Sequence, residues 1–211
     1  MKRGRFISLE GGEGAGKSTQ IRILAQRLAS AGVDVGTTRE PGGSDGAEAI
    51  RQLLVCGDVD RWSATTETLL MYAARRDHIE RLILPALARG AWVLCDRFAD
   101  STRAYQGGAG GADPALIEAL ERHLLVGARP DLTVILDMPA NEGLRRAQVR
   151  GGAEGRFEAK GLAFHERLRG AYLDIAAREP GRCVVVDALG DPDTVAERVW
   201  AVVQPQLAQA V

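Results

Sequence analysis

Lysine is nearly missing from this chain: it stands only at Lys2, Lys17 and Lys160, so almost all positive charge in the 211 residues is arginine. The planar guanidinium fork suits bidentate contacts to phosphate and carboxylate, although genomic composition is reason enough at most positions. Asparagine is scarcer still, with Asn141 alone. The three cysteines, Cys56, Cys95 and Cys183, form no C-x-x-C pair and no His-paired metal spacing. Cys95 and Cys183 lie inside apolar runs and read as core thiols. Basic excess is also absent: the formal net charge is -1 and the pI about 6.3, so nothing in the balance favours a nucleic acid partner. No apolar run reaches the length of a membrane span, and no signal-like apolar stretch follows the first residues. The expectation is a cytoplasmic protein without a membrane partner.

What is present begins with Gly11-Gly12-Glu13-Gly14-Ala15-Gly16-Lys17-Ser18, followed by Thr19 and preceded by Phe6-Ile7-Ser8-Leu9. It fits G-x-x-x-x-G-K-[ST] between a strand and a helix, the context that makes this pattern a phosphate cradle. A loop without side chains at Gly14 and Gly16 wraps closely enough to aim successive backbone N–H groups at phosphate oxygens. The positive end of the following helix points at the same spot. Lys17 supplies a mobile charge for the outer phosphates, and the Ser18 hydroxyl is suited to ligate their magnesium.

Length and composition predict one domain over residues 1–211, with 45% hydrophobic and 26% charged residues. Strands are expected at 5–10, 33–38, 91–95, 132–136 and 183–186. Helices are expected at 17–31, from 45 with Ser44 as N-cap, over 64–89 with Pro85 as a kink or stop, and at 102–106. A glycine loop follows at 107–111, then helices at 113–125, 139–150, 158–178 and 191–207. Short continuous apolar strands separated by helices imply a parallel sheet covered on both faces. Its ligand belongs at the carboxyl ends of the strands, where Glu10, Arg39, Asp96, Asp137 and Asp187 stand.

The loop alone does not name a reaction. A guanine-specific switch needs N-K-x-D, and the single asparagine lies in Pro139-Ala140-Asn141-Glu142, which excludes that class. A small-molecule kinase needs positive charge around the transferred group, an acceptor pocket and a lid that excludes water. A lid candidate spans about 146–158, where Arg146 and Arg150 share a helix face and Arg156 follows a glycine-rich break. Asp96, after Trp92-Val93-Leu94-Cys95, is the preferred magnesium carboxylate, with Asp137 and Asp187 as rivals, and Arg97 beside it suits an acceptor phosphate.

Six segments in this order resemble bacterial thymidylate kinase, a P-loop nucleoside monophosphate kinase, over essentially the whole chain. They are Glu10 with the loop to Ser18, Thr38-Arg39-Glu40-Pro41-Gly42-Gly43, Tyr72-Ala73-Ala74-Arg75, Asp96-Arg97-Phe98 with Ser101, Tyr105-Gln106-Gly107-Gly108, and Arg129-Pro130-Asp131-Leu132. The resemblance implies a three-layer α/β fold, a five-stranded parallel sheet with a small mobile lid, in a homodimer. It implies transfer of the ATP γ-phosphate to dTMP with Mg2+, giving dTDP and ADP. Gly11, Gly12, Glu13, Gly14, Ala15, Gly16, Lys17, Ser18 and Thr19 would bind ATP, and Ser18 and Asp96 the metal. Arg39, Glu40, Arg51 and Arg97 would surround the dTMP phosphate and sugar. Arg75 would read the thymine O4 edge with Ser101 and Gln106, and Tyr105 would crowd the 2′ position.

No cation precedes Lys17 inside the loop, so by the same likeness the lid supplies the catalytic arginine, Arg156 first and Arg150 second. One position departs from the pattern: Met71 stands where the family usually stacks a phenylalanine on the base, which implies weaker base binding or use of Tyr72. The alternatives are a kinase for another nucleotide or deoxynucleoside, such as dUMP or dCMP, and a non-catalytic ATP-dependent switch.

Overall fold

Five short runs form the strands: β1 (Phe6–Glu10), β2 (Val35–Arg39), β3 (Trp92–Asp96), β4 (Leu132–Asp137) and β5 (Cys183–Asp187). The computed structural model describes residues 3–150 and 156–208, the side chain of Arg150 excepted. The strands are all parallel in the order β2-β3-β1-β4-β5. β1, β3 and β4 are central and buried almost throughout, which is why they read as unbroken apolar runs rather than alternating ones.

Alternate side chains face opposite layers. Ile7, Leu9, Leu94 and Val134 pack with Ile21, Leu24 and Leu28 of α1 (Lys17–Ser30) and with Val195 and Val199 of α9 (Pro192–Val203). On the other face Phe6, Val93 and Cys95 meet Tyr72 of α3 (Ala64–His78) together with Ile79 and Ile83. There too Ile135 and Cys183 meet Leu168 and Tyr172 of α8 (Gly161–Arg178). The register sets Leu9 opposite Asp96, so the carboxyl ends of β1 and β3 finish level. The expected three-layer α/β architecture is what the chain adopts.

Three local expectations change. The long helix does not end at Pro85: α3 widens into a π-helical turn (Ile79–Ile83) and continues as α4 (Leu84–Ala88), with Pro85 in its first turn. The wider turn accommodates the missing proline N–H. Ser44 precedes α2 (Asp45–Val55) but makes no side-chain cap, because its hydroxyl donates to Asp77 Oδ2 at 2.6 Å. The glycine stretch expected as a loop is helical in its first half: α5 (Ala99–Thr102) runs into a π-helical segment (Arg103–Ala109), and only from Gly110 does a loop lead to α6 (Pro114–Leu124).

Close packing explains that last difference. A Cβ on Gly108 would lie 2.4 Å from the Ala171 Cβ of α8, so the glycine lets two helices touch rather than breaking one of them. Gly108→Ala is expected to lower stability by about 2 kcal/mol through overpacking, read from urea denaturation. An unchanged midpoint would show that α8 does not press on this segment.

Candidate active site

The loop after β1 takes its shape from glycines: Gly11, Gly14 and Gly16 have φ of 132°, 69° and 86°, a region side chains disfavour. Gly14 is required twice, since a Cβ there would stand 2.0 Å from the Gly143 carbonyl oxygen. Helix α7 (Ala140–Arg150) thus lies directly on the loop, with the Arg146 Cβ within 3.1 Å of that same point. The loop and the strand ends enclose a cavity of about 520 Å³. Glu13 through Thr19, Arg39, Glu40, Arg51, Met71, Arg75, Asp96, Arg97, Ser101, Tyr105 and Gln106 all line it.

Within it, cations are packed against carboxylates. Lys17 Nζ donates to the carbonyls of Gly11 (3.2 Å) and Gly12 (2.8 Å). Burial, with the Arg97 guanidinium nearby, pulls its pKa down to about 8. Arg97 takes a positive φ of 70° and donates to Gly11 O (2.9 Å) and Glu13 Oε1 (3.0 Å), its guanidinium lying over the Tyr105 ring. Tyr105 donates to the same Glu13 oxygen at 2.7 Å. Burial works against the charge on Glu13, but Arg97 and Lys17 outweigh it and hold the carboxyl down to about 2. Glu13, expected among the ATP-binding residues, thus holds Arg97 and Tyr105 together.

Asp96 Oδ2 accepts from the Ser18 hydroxyl at 2.6 Å, which brings the two expected metal ligands together. The rival carboxylates are engaged elsewhere: Asp137 takes a two-pronged pair from Arg169, and Asp187 pairs with Arg198 and the Leu189 N–H.

Arg75 is fully buried. It donates from Nε to Glu40 Oε2 (2.7 Å) and from Nη2 to Phe98 O and Thr102 Oγ1, yet its Nη1 has no hydrogen-bond partner among the described residues. Glu40, which also lines the cavity, divides its oxygens between Arg75 and the buried His78, whose other nitrogen meets Thr38 Oγ1. Arg51 reaches the Pro41 carbonyl, and Arg39 pairs with Glu48 at the cavity rim. Ser101 donates to buried Glu10 at 2.6 Å. Tyr72 is not free to face a base: its ring lies under Arg75 and its hydroxyl donates to Glu121. Phe157 packs on the cluster formed by Leu54, Val55 and Met71 and also lines the cavity.

Arg156 is the correction. It is 4% exposed and turned into the protein, with Nη1 paired to Glu67 and bonds to the carbonyls of Leu54, Asp58 and Val59. A guanidinium so engaged anchors the segment instead of facing phosphates. The side chain of Arg150 and residues 151–155 of the expected lid lie outside the described residues. Glu67, His78 and Thr102 went unremarked in the sequence, because nothing in their spacing separates them from ordinary helix residues.

This geometry has known counterparts. The family model described as thymidylate kinase matches residues 9–199. The chain belongs to the thymidylate kinase family. It is 68% identical to thymidylate kinase of Caulobacter vibrioides, covering 98% of this chain and 99% of that one. It is 57% identical to thymidylate kinase of Nitrobacter hamburgensis, covering 98% and 91%. The crystal structure of thymidylate kinase from Ehrlichia chaffeensis superposes with a TM-score of 0.77 at 35% identity, covering 96% of this chain and 99% of that one. Among the described residues no helix is long and apolar enough to cross a membrane.

Two measurements test the buried charges. Burial, then Asp100, raises Glu10 to about 7 from 4.5, so its contribution to stability is complete below about 4.5 and is lost as pH rises through about 7. Glu10→Gln removes that slope. In urea titrations the variant is expected to gain on the wild type by on the order of 3 kcal/mol as pH climbs across this window. A pH-independent difference would refute the raised pKa. Arg156→Ala strands the Glu67 carboxylate and is expected to cost about 3 kcal/mol of stability. Loss of turnover with an unaltered thermal midpoint would restore Arg156 to a purely catalytic role.

Proposed function

We propose that this thymidylate kinase seats the ATP tail on the loop and dTMP in the arginine-lined end of the same cavity, and passes the γ-phosphoryl group between them. A dTMP phosphate oxygen attacks the γ-phosphorus as its bond to the β-phosphate oxygen breaks, giving dTDP and ADP. The observation that carries this reading is Arg75: a buried guanidinium with one nitrogen unpartnered among the described residues, on the wall of the same cavity as the phosphate loop, supports recognition of an acceptor with a carbonyl edge. A switch without an acceptor has no use for it.

In this mechanism incoming phosphates replace the Gly11 and Gly12 carbonyls as partners of Lys17. Arg97, held by Glu13, aligns the acceptor phosphate, and Arg39 and Arg51 at the rim offset its charge. The acceptor is already anionic, so alignment and charge neutralisation do most of the work, without a general base. Tyr105 guards the sugar. Ser18 and Asp96, a hydroxyl and a carboxylate in contact, fit magnesium, which when bound would neutralise charge on the ATP phosphates. With Arg156 buried, we assign positive charge over the outer phosphates to the α7 arginines, Arg146 above Gly14 and Arg150 one turn on. Phe157 supplies the ring that Met71 lacks. A homodimer fits the outer face of α3, where Leu69 remains 48% exposed.

A coupled ADP-release assay tests the assignment. Turnover is expected with dTMP, and Lys17→Ala should lower kcat by on the order of 10²–10³ with the fold retained. ATP hydrolysis indifferent to every added monophosphate would favour the switch. Preference for dCMP would move the acceptor class.

A further inference from the structure

Glu67 lies outside the cavity wall, on α3, and takes no part in the mechanism above. Its side chain is 5% exposed. One carboxylate oxygen pairs with Arg156; the other accepts from Gln106 Nε2 at 2.8 Å. Gln106 itself is buried and lines the cavity with Arg75 and Thr102.

A carboxylate accepts hydrogen bonds and donates none, so the Gln106 amide has one permitted orientation. Its NH2 end faces Glu67, and its carbonyl oxygen is left for the cavity. The cavity is then lined by two complementary groups, the Arg75 guanidinium, whose buried Nη1 has no partner among the described residues, and the acceptor of Gln106. That pair matches a lactam edge, in which a carbonyl stands beside a ring N–H, as in thymine and uracil. It opposes an amidine edge, in which an exocyclic amine stands beside a bare ring nitrogen, as in cytosine and adenine. With the amide reversed, the two would present donors only.

We propose that Glu67 is a positioning residue that determines base specificity by locking the Gln106 amide, with Arg156 holding Glu67 in place. The inference rests on the acceptor site proposed above. It makes a charged pair at the root of the lid segment part of base selection, because Arg156 also ties Glu67 to the carbonyls of residues 54, 58 and 59.

Glu67→Gln separates the possibilities. The new amide turns its oxygen to the Arg156 cation and its NH2 toward Gln106, whose own amide must then invert. The ratio of kcat/KM for dTMP to that for dCMP is expected to fall at least about tenfold, with dCMP turnover rising in absolute terms and KM for ATP unchanged. A purely structural role would lower the thermal midpoint and leave this ratio alone. Gln106→Leu keeps the Glu67–Arg156 pair and removes only the reader. It is expected to lower the same ratio without improving dCMP, and adding Glu67→Gln to it should change the ratio no further. A wild-type ratio in Gln106→Leu, or in a folded Glu67→Gln, would overturn the inference, and the Gln106→Leu measurement stands even where Glu67→Gln does not fold. A wild-type protein that failed to phosphorylate dTMP at all would instead overturn the acceptor assignment.

Discussion

Concentrating positive charge at one sheet edge before any phosphate arrives is the constraint the rest of the structure answers to. Lys17, Arg75 and Arg97 are all withdrawn from water, where like charges repel strongly and each ion has lost its hydration. Both arginines are offset by a paired carboxylate: Glu13 holds Arg97, and Glu40 holds Arg75. The Lys17 ammonium donates to two carbonyls, and burial with the nearby Arg97 guanidinium depresses its pKa. The site is therefore preorganised. In the function proposed above, these cations already line the wall that a polyanion would meet, and bound phosphate would relieve their repulsion.

The backbone shares the cost. Arg97 occupies left-handed space, uncommon for a side chain of its size, directly after Asp96. That turn sends Asp96 toward Ser18 and Arg97 toward Gly11 and Glu13, so two adjacent residues reach different parts of one cavity. The glycines do the converse. Gly14 and Gly143 remove side chains so that α7 rests on the loop, which carries Arg146 over it.

Legibility in the sequence followed the range of the forces involved. The strands, their parallel order and the loop were readable because apolar runs and G-x-x-x-x-G-K-S are local patterns with local causes. The Ser18–Asp96 contact was readable too, since strand ends in such a sheet converge. Partner choice among charges was not. Glu40 and Arg156 carry the same residue types whether they meet a nucleotide or each other's neighbours, and only the three-dimensional register gives Glu40 to Arg75 and Arg156 to Glu67. Gly108 misled for a related reason: a glycine that breaks a helix and one that admits a neighbouring helix look alike until Ala171 is in place. The departure at Met71 was visible, but the packing of Phe157, far along the chain, on the cluster that holds Met71 was not.

The distribution of these unreadable contacts bears on how the enzyme discriminates. Hydrogen bonds to a base are informative only if the protein's own amides and guanidinium groups cannot rotate to suit the wrong one. Gln106 alone is ambivalent, offering a donor or an acceptor with equal ease. A buried carboxylate removes that freedom, and a buried guanidinium stops the carboxylate from moving. Selectivity at the cavity wall thus requires charge one layer behind it, where no substrate reaches. Glu40 stands to Arg75 as Glu67 stands to Gln106: each carboxylate fixes the orientation of a side chain that lines the cavity.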